Sequence, residues 1–151
     1  MKRQFFAVFL SVILLFMPII TVHAAPQNNA TIITYEDGGY IVIELLQIQT
    51  RSSNTIAGQK QIKRYDTNNQ LEWQAVLTAQ FEYNGQSATC TSANCAVFTV
   101  DESWHEVSNV TTRSGGTATT SLVISRKLLG ITVKTINETI TLTCDKNGNL
   151  S

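Results

Sequence analysis

Three cysteines and one histidine hold most of the reactive chemistry in this chain once its apolar start is set aside. Cys90 and Cys95 lie within "YNGQSATCTSANC" (83–95), and Cys144 stands close to the last residue. Three cysteines permit three single disulfides, and spacing by itself selects none of them. His105 lies in "DESWHEVS", beside Asp101, Glu102, Trp104 and Glu106. An acid-rich turn with an imidazole can furnish a general base or one metal ligand. A serine or cysteine nucleophile needs that imidazole at hand. Cys95 is the only cysteine worth naming with His105, and nothing in the spacing joins them. A zinc centre needs three or four protein ligands, and the other histidine, His23, falls in the N-terminal segment. The expectation is therefore no metal, no cofactor and no enzymatic activity.

Other signals carry less. "DKNGN" (145–149) resembles the opening of a calcium loop, but such a loop ends on an acidic twelfth ligand and Ser151 comes before that position. A polar turn is the plainer reading. Sequons stand at Asn29, Asn109 and Asn137 and matter only in a host that glycosylates them. The Thr-rich stretches "TATTS" and "TITLT" can form hydroxyl arrays for an ordered ligand, or simply face solvent. Trp104, His105 and Tyr40 are the candidate ligand-facing side chains, although half-buried packing explains the two aromatics equally well. Trp73 sits in a core phase.

The elements that must position these residues are read from the ends inward. "MKRQ" followed by the apolar run 5–20 and then "TVHAAPQ" describes a secretory signal peptide. Val22 and Ala24 fit the small-residue exit, and Pro26 disfavours a cut after Ala25. The apolar run is short for a membrane span and contains Pro18. Residues 1–24 are thus expected to be a signal peptide and 25–151 a single domain, large enough for its own core. Without Lys2 and Arg3 the chain is slightly acidic. That gives no electrostatic ground for a nucleic-acid partner, and expects membrane contact only through the leader before cleavage. Charged residues make up only 15% of the chain, below the usual quarter. Hydroxyl and amide side chains take their place, as suits an extracellular β-protein.

Alternation of period two runs through the rest. Leu71–Tyr83 is the clearest strand, with Leu71, Trp73, Ala75, Leu77, Ala79, Phe81 and Tyr83 on one face. Further strands are expected over 31–36, 40–49, 60–66, 96–101, 103–112, 117–127 and 131–143, with a loop over 50–59. Turn signals separate them. Many strands with regular turns predict an antiparallel β-sandwich, with a small β-barrel as alternative. In the last strand Ile131 and Val133 share one phase while Ile136, Ile140, Leu142 and Cys144 share the other. Either both faces are partly covered or a bulge lies near Thr135.

Asn84-Gly85 predicts a two-residue turn that pairs Tyr83 with Gln86, Phe81 with Ala88 and Ala79 with Cys90. Cys90 then faces inward. Cys144 continues the inward phase of Leu142. If Phe98 and Val100 face the core, Cys95 has the opposite phase. The expected disulfide is Cys90–Cys144, with Cys90–Cys95 as alternative, and Cys95 is expected to be a free thiol.

The phrases "RYDTNNQLEWQAVLTAQFEYNGQSATCTSA", "SRKLLGITVKT" and "TLTCDKNGNLS" resemble an uncharacterised family of small secreted proteins from Gram-positive, clostridium-type bacteria. The resemblance covers most of the chain after the leader and implies origin and export, but no catalytic residues. The positions of Cys90 and Cys144 resemble the family's pattern, and Cys95 is less typical of it. The functional expectation is a secreted, non-enzymatic β-domain that binds a glycan, peptide or envelope component. The alternative is a small secreted effector, bacteriocin-like or inhibitory.

Overall fold

The computed structural model of the protein describes residues 30–48 and 54–151. The expected leader, with Val22 and Ala24 at its exit, lies outside these residues. Eight strands follow in order: β1 (Thr31–Thr34), β2 (Tyr40–Ile48), β3 (Thr55–Tyr65), β4 (Leu71–Tyr83), β5 (Ala88–Thr99), β6 (Trp104–Ser114), β7 (Thr117–Leu128) and β8 (Ile131–Thr143). They form a five-stranded sheet, β1-β2-β3-β4-β5, and a three-stranded sheet, β6-β7-β8. All pairings are antiparallel. There is no helix among the described residues, and the sheets do not close into a barrel. The fold is the expected antiparallel sandwich.

β4 explains how the core forms. Its alternation puts Trp73, Ala75, Leu77, Ala79 and Phe81 on the inner face, each at most 1% exposed. Leu122, Ile124, Ile136, Ile140 and Leu142 meet them from the smaller sheet. Burying one such large side chain contributes about 1.5–3 kcal/mol. Trp73 and Trp104 meet edge to face, with ring centroids 6.4 Å apart.

Two strands are longer than the sequence pattern indicates. β3 begins at Thr55, so part of the expected loop is strand, and Ile56 and Ala57 are buried. Gly58 makes that segment hard to recognise. It has no side chain because Leu150 occupies the space; a Cβ would lie 2.4 Å from Leu150 Cδ1. β5 is one strand through both Cys90 and Cys95, where a break is expected.

The β4–β5 turn also differs. Tyr83 pairs with Ala88, and Phe81 rather than Ala79 lies opposite Cys90. The Asn84 side chain accepts hydrogen bonds from the Gln86 and Ser87 N–H groups, at 2.9 and 2.8 Å, which lengthens the turn to four residues. A register shift of two keeps every side chain on its face, so Cys90 still points inward. One residue further, Thr91 bulges out between the Phe81–Cys90 and Gln80–Ser92 pairs. That single insertion reverses the phase beyond it. Cys95 therefore faces the core opposite Leu77, while Phe98 is 52% exposed. Val100 is exposed as well. The expectation that Phe98 and Val100 face inward is corrected by this bulge.

The phase conflict in β8 has a similar cause. Lys134 pairs with Arg126 and Thr132 with Lys127, which leaves Val133 as the bulged residue. Ile136, Ile140 and Leu142 are buried; Ile131 and Val133 are not.

Candidate ligand-binding face

The outer face of the five-stranded sheet is a regular grid. One row runs Val42, Lys63, Gln74 and Phe98 across β2 to β5, and the next runs Glu44, Gln61, Val76 and Ala96. Neighbouring positions within a row lie about 4.8 Å apart, the spacing between strands. Glu44 accepts from Gln61 and from Lys63, the latter at 3.2 Å. Gln59 donates to Thr78 at 3.1 Å. At the end of the grid Tyr40 and Tyr65 are paired across β2 and β3. Their rings stack at 5.1 Å with planes 17° apart, and Tyr40 donates its hydroxyl proton to Asn69 at 3.1 Å. Both tyrosines are half-buried. Tyr40, a sequence-predicted candidate, thus stands in a preorganised aromatic pair beside amide and hydroxyl groups.

Trp104 does not join it. It is 1% exposed and closes the core at one end of the sandwich, so the expectation of a ligand-facing tryptophan is corrected. Pairing with Arg126 puts it on the inner face of β6. There it packs under Arg64, whose guanidinium lies 5.3 Å from the Trp104 ring and 4.8 Å from the Tyr35 ring. Arg64 is 2% exposed and donates to Glu72 and to Asp37, each at 2.8 Å. Arg126 stands 3.9 Å from Glu72 and 3.7 Å from Asp101. Lys134 binds Asp37, and Tyr35 donates to Glu138. The Lys134 hydrogen bond, and then the Arg64 charge, hold the Asp37 carboxyl below its usual range. Burial and the Glu138 contact push the Tyr35 phenol up. This network ties the β1–β2 turn to β3, β4, β7 and β8. The sequence reading missed it, although Arg64 shares the inward phase of Ile62 and was legible there.

The His105 side chain is exposed and makes no hydrogen bond or ion pair among the described residues. Cys95 lies between the sheets, 7% exposed. The two are not a catalytic pair. Among the described residues no group of three metal-ligating side chains comes together.

The three cysteines are all buried thiols. The expected Cys90–Cys144 disulfide is not present. Each sulfur turns to a backbone carbonyl nearby: Cys90 Sγ to Ser92 and Cys144 Sγ to Asp145, both at 3.4 Å. The two residues flank one turn, with Cys90 N–H donating to Gly115 and Cys144 N–H to Gly116. Burial pushes all three thiols up from their ordinary value.

The "DKNGN" segment is a turn. Asp145 accepts from the Asn147 and Asn149 N–H groups at 2.8 Å, as Asp66 accepts from Asn68 and Gln70 in the β3–β4 turn. The fourth residue of each, Gly148 and Asn69, has positive φ. Shallow cavities lie among the described residues. One of about 420 Å³ lies by Asn54, Glu82 and Ser87, and one of about 260 Å³ lies between Ile43, Lys60 and Thr139. No protein-family model, no curated protein and no solved structure matches this chain.

Proposed function

We propose that this chain is an exported, non-enzymatic β-domain that binds an extracellular or cell-envelope ligand on the outer face of its five-stranded sheet. The stacked Tyr40–Tyr65 pair carries the reading. Tyrosine offers a large, rigid, amphipathic contact at low entropic cost. The neighbouring Gln, Thr and Lys side chains supply donors and acceptors to hydroxyl-rich or peptide ligands, and a glycan matches that mixture best. The signal-peptide pattern at 1–24 and the resemblance to small secreted clostridium-type proteins support export, with Ala25 as the first residue of the mature form. The isolation of His105 from Cys95 favours binding over catalysis.

The test is retention on isolated cell walls and on immobilised glycans. Replacing both Tyr40 and Tyr65 with Ala is expected to weaken retention at least tenfold, as loss of a central aromatic anchor does. A doubly substituted protein that remains folded and is retained undiminished would sink the assignment to this face.

A further inference from the structure

The inward apolar phase of the three-stranded sheet runs on past the end of the sandwich. β6 starts at Trp104, opposite Arg126. Beyond that rung β7 and β8 continue as a two-stranded arm, pairing Lys127 with Thr132 and Leu128 with Ile131. Residues 127–133 are all exposed. Four of them are large aliphatics, Leu128, Leu129, Ile131 and Val133, and Leu129 at the apex is wholly exposed. The root of the arm is fixed. Lys127 N–H donates to the Ser103 carbonyl at 2.8 Å, Arg126 stands by Asp101, and Lys134 is bound to Asp37.

The apex is poorly suited to its own turn. Leu129 has φ +51° and Gly130 φ +80°. Two positive φ values make a type I′ turn, whose first central position favours Asn, Asp or Gly. A bulky side chain there is strained. Leu129 therefore serves neither the turn nor the core.

We infer that this hairpin tip is a membrane-docking element that inserts Leu128, Leu129 and Ile131 into the interface of a bilayer containing anionic lipid. Shape favours lipid over protein. A convex apex with an apolar rung below it has no flat face to match, and a protein partner would need a deep socket, whereas a bilayer closes around it. Charge agrees. Residues 126–134 hold three cations and no acid. Arg126 and Lys134 are occupied by acids of the body, and Lys127 is exposed, with no ion pair among the described residues. A lysine at that level lays its stem along apolar surface and keeps its ammonium among head groups. Length agrees as well. Interfacial elements bury their apolar part by about 5–10 Å, and two to three strand residues at about 3.3 Å each span that depth. The inference deepens the envelope-binding proposal and rests on it only for where a membrane is met.

The test uses residues 25–151, which hold every described strand, with sedimentable vesicles of phosphatidylcholine alone or mixed with phosphatidylglycerol. The protein is expected to sediment with the mixed vesicles and less with phosphatidylcholine alone. Leu129→Asn should weaken this binding by roughly tenfold or more, the effect of losing one buried leucine. The same change should raise the melting temperature, because Asn suits the type I′ position. Opposite signs in the two readouts separate docking from folding. Absence of sedimentation with mixed vesicles overturns the inference, as does undiminished sedimentation of Leu129→Asn. So does a dimer abolished by Leu129→Asn, which would give the tip to a second copy. Pure lipid contains no glycan, so failure here leaves the tyrosine face standing, and the reverse also holds.

Discussion

Arg64 is a guanidinium side chain only 2% exposed, so its partners decide whether it stabilises the fold or endangers it. Glu72 and Asp37 neutralise it, and the faces of Tyr35 and Trp104 cover it. Removing one member of a buried pair strands the other, a larger effect than the net worth of the pair. Arg64→Ala is therefore expected to cost about 3–5 kcal/mol in denaturant unfolding. Replacing Arg64 with Met and Glu72 with Leu together should cost less than the single change. A single variant within experimental error of the parent would mean that Glu72 is already solvated. The cysteines pose a simpler question at the same scale. As three buried thiols with raised pKa values they should label slowly in the native protein. In denaturant without reductant all three should react. One reactive thiol per chain, mapped to Cys95, would restore the Cys90–Cys144 bond.

Among the elements, β4 was legible to both its ends because Trp73, Ala75, Leu77, Ala79 and Phe81 alternate inward and Asn84-Gly85 closes the pattern. β8 was legible for the same reason beyond Ile136. What alternation cannot reveal is a change of phase. Thr91 and Val133 each insert one residue, and each carries a side chain ordinary for a strand. Cys95, Phe98, Ile131 and Val133 were misplaced or left ambiguous by those two insertions alone. Gly58 hid the start of β3, since its role depends on Leu150, nearly the length of the domain away. Asn84 closes a four-residue turn through its side chain, which the Asn-Gly pair alone does not distinguish from a two-residue one. The candidate site divides along the same line. Tyr40 is a candidate from the sequence, but its partner Tyr65 stands where the register shifts, Glu72 being the extra residue between Leu71 and Trp73, and the inward place of Trp104 follows from its pairing with Arg126.

At the scale of the whole molecule, two meanders follow one another through the short crossing from β5 to β6, and contacts at their ends, the backbone bond from Cys90 N–H to Gly115 among them, hold the sheets together. The Arg64 network does this at one end, and its titration sets the pH range of stability. Asp37 is held below the usual carboxyl range by Lys134 and Arg64, and Asp101 by the Ser103 N–H. Asp66 and Asp145 are lowered by bonds from Gln70 and Asn149 in their own turns. As pH falls, the unfolded chain takes up protons at these sites first. Their contribution is therefore complete above about pH 4 and is lost below it. Tyr35 is shifted upward by burial and by Glu138. In the unfolded chain it ionises near pH 10, about its ordinary value, while the folded protein retains the proton. Its contribution is complete below about pH 10 and declines as pH rises further. Melting temperature should thus fall on the acid side of about pH 4 and on the alkaline side of about pH 10. Tyr35→Phe should lower stability at neutral pH, by loss of the bond to Glu138, and should flatten the alkaline decline. An alkaline limb as steep in Tyr35→Phe as in the parent would place its origin elsewhere, in the three buried thiols.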